Sequence, residues 1–152
     1  MMIINAYGDC LKAKTDAIVN TVNCVGVAGK GLALQFRDAW PANYAAYKAE
    51  CQLGNMRIGH MFVFATGQPI PRFIINFPTK RHWKQPSRYE YLELGLAALS
   101  SEVQARRIQS IAVPPLGCGL GGLDWKQVRL MIEATFASLP SVDILLFEGE
   151  KW

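Results

Sequence analysis

Ala17-Ile-Val-Asn-Thr-Val-Asn23 opens with a strand, Ala17–Thr21; Gly26-Val-Ala-Gly29-Lys-Gly31 then reads as a glycine-rich turn, and Leu32-Ala-Leu-Gln-Phe-Arg37 as a helix. The order recurs near the other end of the chain. Ser110–Val113 reads as a strand, Gly117-Cys-Gly-Leu-Gly-Gly122 as a second glycine loop, and Asp124 as the cap of a helix running to Ser138. Glycine lets backbone N–H groups point into a concavity, and a helix N-terminus adds positive potential there. One such loop is as readily a tight turn, but two in equivalent positions could clasp a diphosphate between them. The first is neither a Walker A loop, because the GxxxxGK[ST] spacing fails, nor a GxGxxG turn.

Working outward, Met2–Ala6, Met61–Thr66, Phe73–Phe77 and Asp143–Phe147 read as further strands. Pro41–Cys51 reads as a helix with proline in its first turn and Tyr44, Tyr47 and Cys51 on one face. Ser87–Arg107 is the longest helix, with Leu92, Leu96, Leu99 and Val103 inward and a capping-box pattern at Ser87 and Glu90. In the helix after Asp124, Trp125, Val128, Ile132 and Phe136 fall on the inner face. Alternating strands and helices predict an α/β sandwich with a largely parallel or mixed sheet. In such folds ligands sit where strands end and helices begin, which is where both glycine loops fall.

The chain has 152 residues, 51% of them apolar and 18% charged. That suits one domain spanning 1–152 with a real core, and it excludes disorder. The stretch between Arg57 and Arg72 is free of charge but holds His60, Gln68, Pro69 and Pro71, so no membrane span is predicted. The N-terminus has no basic start and no long apolar run of a signal peptide. Cys10, Cys24, Cys51 and Cys118 are scattered without zinc spacing, so reduced thiols, a cytoplasmic home and no metal are expected.

The net charge is +4, and its placement says more than its total. From Cys51 to Tyr89 there is no acidic residue, while Arg57, Arg72, Lys80, Arg81, Lys84 and Arg88 all lie there. A basic stripe of this kind suits a polyanion; the alternative is an ordinary solvated loop.

Three motifs carry a family resemblance. Ala17–Asn23, Gly29-Lys-Gly-Leu-Ala-Leu-Gln-Phe36 and Pro114-Pro-Leu-Gly-Cys-Gly-Leu-Gly-Gly122 resemble the macrodomain family, and Gly8-Asp9 matches its adenine-reading turn. The resemblance covers essentially the whole chain. It implies a three-layer α/β/α sandwich with a mixed sheet of about six strands, and a cleft that binds ADP-ribose without a cofactor. Asn76-Phe-Pro-Thr-Lys80-Arg-His-Trp-Lys84 is similar to the branch that carries a catalytic lysine after the fourth strand. That branch includes the terminal ADP-ribose protein glycohydrolase and the DarG antitoxins, whose macrodomains remove ADP-ribose that the DarT toxin attaches to bases of single-stranded DNA. The protein glycohydrolase places a catalytic Asp directly after Gly-Cys-Gly-Leu, where this chain has Gly121, so the DarG-type reading is favoured.

The resemblance therefore implies an ADP-ribosyl glycohydrolase acting on ADP-ribosylated single-stranded DNA, a monomer, with a DarT-like toxin as a further partner. The alternatives are a hydrolase of ADP-ribosylated protein side chains and a non-catalytic ADP-ribose reader. DarG proteins normally continue into a second domain, so a chain ending at Trp152 is either a cut-out domain or a stand-alone relative.

Carried over residue by residue, the resemblance implies that Asp9 accepts the adenine amino group, aided by the Cys10 backbone N–H. Asn23 faces the distal ribose, while Asn20 ties loop backbone together. Gly29, Lys30 and Gly31 form the first diphosphate loop; Gly117, Cys118, Gly119, Leu120 and Gly121 form the second. Cys118 precedes a helix N-terminus, which can lower a thiol pKa, but with no histidine nearby in sequence it reads as a backbone donor. Phe147 flanks the adenine or packs in the core. Lys80 is the catalytic candidate, either as a neutral nucleophile at the anomeric carbon or as a proton donor to the departing base. Without the resemblance it would read as a solvated charge. Arg81, His82, Trp83, Lys84 and Arg88 would contact nucleic acid, the cations at phosphates and the aromatic at an unstacked base.

Overall fold

The computed structural model describes residues 2–148. The run that opens the sequence becomes β2 (Ala17–Val22), in which every residue except Thr21 is buried. Five more strands join it: β1 (Ile3–Ala6), β3 (Phe62–Ala65), β4 (Phe73–Pro78), β5 (Ser110–Val113) and β6 (Asp143–Phe147). The sheet order is β1-β6-β5-β2-β4-β3, so β2 sits inside, parallel to both β5 and β4. A parallel strand between helical layers is covered on both faces, which is why β2 is apolar at successive positions rather than alternate ones.

Alternation still sorts its side chains. Ala17 and Val19 face a core shared with Leu92, Leu96, Leu99 and Val103 of α3 (Tyr89–Ala105) and Val128, Ile132 and Phe136 of α4 (Trp125–Phe136). Ile18 faces the other way, against Leu32 and Phe36 of α1 (Gly31–Ala39). Beside it, Tyr47 of α2 (Pro41–Gln52) packs with Val22 and Met56. These are the expected three layers. Gly95 of α3 lets that helix close on the sheet: a Cβ there would lie 2.3 Å from Cζ of Phe77.

Only β3 runs antiparallel, against β4. The other five strands share one direction. Their C-terminal ends therefore lie along one edge, which carries the turn after β1, the two glycine loops, the loop after β4 and the end of β6. At the opposite edge, Arg72 donates from Nε and a terminal nitrogen to the two carboxylate oxygens of Asp16, which also accepts the Gln109 N–H. The Arg72 hydrogen bond holds the Asp16 carboxyl below its usual range. The basic segment is thus divided: Arg72 pairs at one end of β4, and Lys80–Arg88 follow its other end.

The helix signals are placed correctly but used differently. The Ser87–Glu90 capping box is not formed. α3 starts at Tyr89 with Arg88 at the N-cap position and no side-chain cap bond, because the Ser87 hydroxyl instead donates to the Thr79 carbonyl. Asp124 occupies the N-cap position of α4, yet its carboxylate makes no cap bond. Trp125 is only half-buried against the core. No helix among the described residues is long and apolar enough to cross a membrane.

Candidate active site

Asn23 is the hub of the first glycine loop. Its Oδ1 accepts from the backbone N–H groups of Val25, Gly26 and Val27 at 3.0, 3.0 and 3.3 Å, and from the Tyr47 hydroxyl at 2.9 Å. Its Nδ2 donates to the Val27 carbonyl at 2.8 Å. The Tyr44 hydroxyl adds a bond to the Gly26 carbonyl. These bonds curl the loop so that Gly29, Lys30 and Gly31 enter α1 along the wall of a cleft. Lys30 is the N-cap residue and makes no side-chain cap bond. The N–H groups of Gly31, Leu32 and Ala33, in the first turn of α1, have no backbone acceptor among the described residues.

The roles expected of the two asparagines are therefore altered. Asn23 ties the loop together, and one N–H of its amide remains for a ligand at the cleft wall. Asn20 donates instead to Asn76 Oδ1, within a buried cluster that includes Asn43.

The second loop is built by contraction. Leu123 N–H donates to the Gly117 carbonyl at 2.9 Å, and Gly122 N–H to the Gly119 carbonyl at 3.3 Å. A Cβ on Gly121 would lie 2.4 Å from the Gly117 oxygen, and one on Gly117 would lie 2.8 Å from Ser87 Oγ. The closure leaves the N–H groups of Gly119, Leu120 and Gly121 without backbone acceptors among the described residues, and all three residues line the cleft. Cys118 departs from its expected part. Its N–H donates to the Pro115 carbonyl at 3.1 Å and is spent. Burial, followed by the charge of Asp124, pushes its thiol up to about 12. The helix N-terminus does not win over desolvation, so Cys118 is no thiolate nucleophile.

The loop after β4 brings Lys80 to the same cleft. Thr79 N–H donates to the Val22 carbonyl at 2.9 Å, and Cys24 holds the next two residues: its N–H donates to Arg81 O at 3.2 Å and its thiol to Lys80 O at 3.5 Å. Ser87 closes the loop onto the second glycine loop, its N–H donating to the Gly121 carbonyl at 3.0 Å. Nothing in the sequence singles out Ser87 or Cys24 for these parts. Lys80 is partly desolvated, and burial alone lowers its pKa from the ordinary lysine value. Trp83 also lines the cleft, stacked on His82 at 5.5 Å with the Lys84 ammonium 5.0 Å from its centroid.

The cleft holds about 340 Å³, within the range of small-molecule sites. Among the described residues, Lys30 and Lys80 supply the only ionisable side chains on its wall, and no carboxylate lines it. Asp9, Cys10 and Phe147 do not line it either. Asp9 caps a short 3-10 turn (Cys10–Lys12), accepting the Leu11 N–H at 2.9 Å. Cys10 and Phe147 are buried in the core cluster that contains Leu32, whose side of α1 forms part of the cleft. Burial, with Asp9 beside it, pushes the Cys10 thiol up to about 12. Arg81 and Arg88 line a separate recess.

Paired glycine loops with free N–H groups at one edge of a mixed six-stranded sheet match a known design, and the macro domain family model matches residues 19–132. The chain belongs to the macrodomain family. This macrodomain is 50% identical over 147 residues to a DNA ADP-ribosyl glycohydrolase of Mycobacterium tuberculosis, covering 96% of the chain and 42% of that relative. It thus spans about two fifths of the length of the curated relative. Its fold superimposes on the macrodomain of Mycobacterium tuberculosis DarG with a TM-score of 0.96 at 49% identity, covering 98% of this chain and 99% of that one. The structure of Thermosipho africanus DarTG in complex with ADP-ribose matches with a TM-score of 0.87 at 30% identity, covering 95% of this macrodomain and 41% of that chain.

Proposed function

We propose that this macrodomain binds ADP-ribose along the C-terminal edge of its sheet and hydrolyses the bond joining it to a base of single-stranded DNA. The observation that carries this reading is the pair of loops whose free N–H groups share one cleft with Lys80. Backbone donors at a helix N-terminus suit a diphosphate, and Lys30 on the cleft wall adds positive charge. The sheet order supports a direction for the ligand. The turn with Asp9 follows β1, Phe147 ends β6, the second glycine loop follows β5, the first follows β2, and Lys80 follows β4. Adenine at Asp9, with the Cys10 N–H and Phe147 nearby, then leads through the diphosphate between the loops to a distal ribose at Asn23 and Lys80. Four strand spacings separate β1 from β4, on the order of 19 Å.

The chemistry falls to Lys80 because the cleft wall, among the described residues, offers no carboxylate to serve as base. Water replaces the base at the anomeric carbon, and the departing base nitrogen takes a proton. Lys80 either attacks that carbon first as a free amine, a state that its desolvation favours, or protonates the leaving base. A carboxylate at position 121 would have pointed to the protein-directed relatives; Gly121 sits there, with its Cβ position blocked. Trp83 beside Lys80 offers a face for the extruded base, with His82, Lys84, Arg81 and Arg88 on the same loop. A DNA-modifying toxin of the DarT type would supply the substrate, in the cytoplasm, with the macrodomain acting as a monomer.

The test is Lys80→Ala with two substrates. The variant is expected to keep ADP-ribose affinity within a few fold, while release of ADP-ribose from modified single-stranded DNA falls at least about a hundredfold. Modified protein side chains should be poor substrates for the wild type. Faster release from protein than from DNA would assign the site to the protein-directed reaction, and wild-type turnover by the alanine variant would remove Lys80 from the chemistry.

A further inference from the structure

The loop after β4 has two sides. Lys80 and Trp83 line the cleft, whereas Arg81, Gln85, Pro86 and Arg88, with Tyr91 of α3, line a second recess of about 300 Å³ that shares no residue with it. The loop is therefore a ridge between the reacting lysine and a basic hollow, and the Cα atoms of Lys80 and Arg81 are only about 3.8 Å apart across it.

The hollow is cationic without compensation. Arg72, Arg106 and Arg129 are each paired with carboxylates. Among the described residues neither Arg81 nor Arg88 has such a partner, and no acidic residue lines the recess. The Arg81 guanidinium carbon lies 5.4 Å from the centroid of the Tyr91 ring, a contact that takes up none of its five N–H donors as an ion pair would. Its backbone is held by Cys24, Gln85 N–H donates to His82 O at 3.0 Å, and Tyr91 N–H donates to Arg88 O at 3.1 Å. Arg88 is the N-cap residue of the 17-residue helix α3, whose positive end adds to the field. The Gln85 and Tyr91 side chains supply further hydrogen-bond donors.

We propose that this recess is a phosphate subsite for the strand that carries the modified base, holding the phosphodiester next to the nucleotide whose base lies at Lys80 and Trp83. The proposal rests on the DNA-directed reading above and adds where the strand is gripped. A phosphodiester presents two free oxygens and one charge, which two guanidinium forks match. The ligand's own diphosphate belongs to the glycine loops, so the recess recognises something that free ADP-ribose lacks. An ADP-ribosylated protein side chain lacks it too. The ridge thereby makes the strand, rather than the modified base alone, the preferred substrate.

The experiment measures release of ADP-ribose from a short modified single strand by the wild type and by Arg81→Gln/Arg88→Gln. Each enzyme is also given the same strand with one uncharged methylphosphonate placed directly 5′ or directly 3′ of the modified nucleotide. Both arginine side chains are exposed, and an unchanged thermal midpoint checks the fold of the variant. On the wild type, one of the two methylphosphonates is expected to raise KM about tenfold with a much smaller change in kcat. The double variant should already show that rise on the native strand, gain no further penalty from the methylphosphonate, and have a shallower salt dependence of KM. A methylphosphonate penalty of equal size in both enzymes, or a variant indistinguishable from wild type on the native strand, overturns the subsite. A wild type that binds ADP-ribose but releases none from any strand overturns the DNA-directed reading itself, and the subsite with it.

Discussion

Replacing Asn23 with alanine separates a ligand contact from a loop hub. The substitution removes one acceptor shared by three backbone N–H groups and the Tyr47 hydroxyl, and one donor to the Val27 carbonyl. Tyr47 is not orphaned, because its hydroxyl also donates to the Asn23 carbonyl at 2.8 Å. The Gly26 N–H bond is buried, whereas those of Val25 and Val27 are only partly so. A buried donor left unpaired costs about 1–3 kcal/mol, and a bond that water can replace about 0.5–1.5 kcal/mol. Roughly 2–6 kcal/mol of folding stability should be lost, which for a domain of this size is a fall of roughly 5–25 °C in melting temperature. Because the loop carries Gly29–Gly31, ADP-ribose binding should fall with it, and amide exchange at Val25–Val27 should quicken. Thermal unfolding, titration calorimetry with ADP-ribose and hydrogen exchange read these three effects. An alanine variant that binds ADP-ribose poorly yet melts and exchanges like the wild type would refute the hub and return Asn23 to the role of a plain ribose contact.

The pH profile of DNA hydrolysis should distinguish the two parts open to Lys80. Burial lowers its pKa, so a nucleophilic amine gives a rate that rises with pH and levels off below the usual lysine range, whereas a proton donor gives one that falls over the same interval; a profile flat through it would exclude both. Gly121→Ala places a methyl against the Gly117 carbonyl and Ser87, and is expected to weaken ADP-ribose binding at least about tenfold and destabilise the fold by about 1–3 kcal/mol; calorimetry and unfolding measure the two effects. Asp16→Asn tests the clamp at the opposite edge. The Asp16 carboxyl is held below its unfolded value, so its contribution is present above the ordinary carboxylate range and lost as pH falls through the lowered folded pKa. In urea unfolding the wild type should exceed the variant at neutral pH, and the gap should close in acid; a gap independent of pH would deny the linkage.

Much of this molecule was legible from periodicity and punctuation. Asp143–Phe147 is the strand read from its apolar run, and the strand at Ala17 runs one residue beyond its predicted end, to Val22. Leu92, Leu96, Leu99 and Val103 are buried as their spacing requires. These features are local: a strand or helix needs a repeat that its own residues supply, and burial follows from which face the repeat paints. The glycine loops were visible for the same reason, as was Lys80 through the motif around it.

What the chain order could not decide is where the polar groups spend their hydrogen bonds. Ser87 and Glu90 have the spacing of a capping box, but Ser87 lies beside Thr79 and Gly121, and that contact between distant loops takes the hydroxyl. Asn20 and Asn23 look alike in sequence; Asn76 of β4 holds one, while the curled loop and Tyr47 of α2 hold the other. Cys118 sits where a helix end lowers a thiol pKa, and its burial raises it. The recess at Arg81 and Arg88 exists only because the turn after β4 brings those residues against Tyr91, while Arg72, from the same basic run, is carried to the opposite edge and neutralised by Asp16. The sequence by itself determined the elements, their apolar faces and the loops that can cradle a diphosphate, because these depend on neighbours along the chain. The tertiary structure decided which charges stay free and which donors remain unpaired, because each of those depends on a partner brought from far away in sequence.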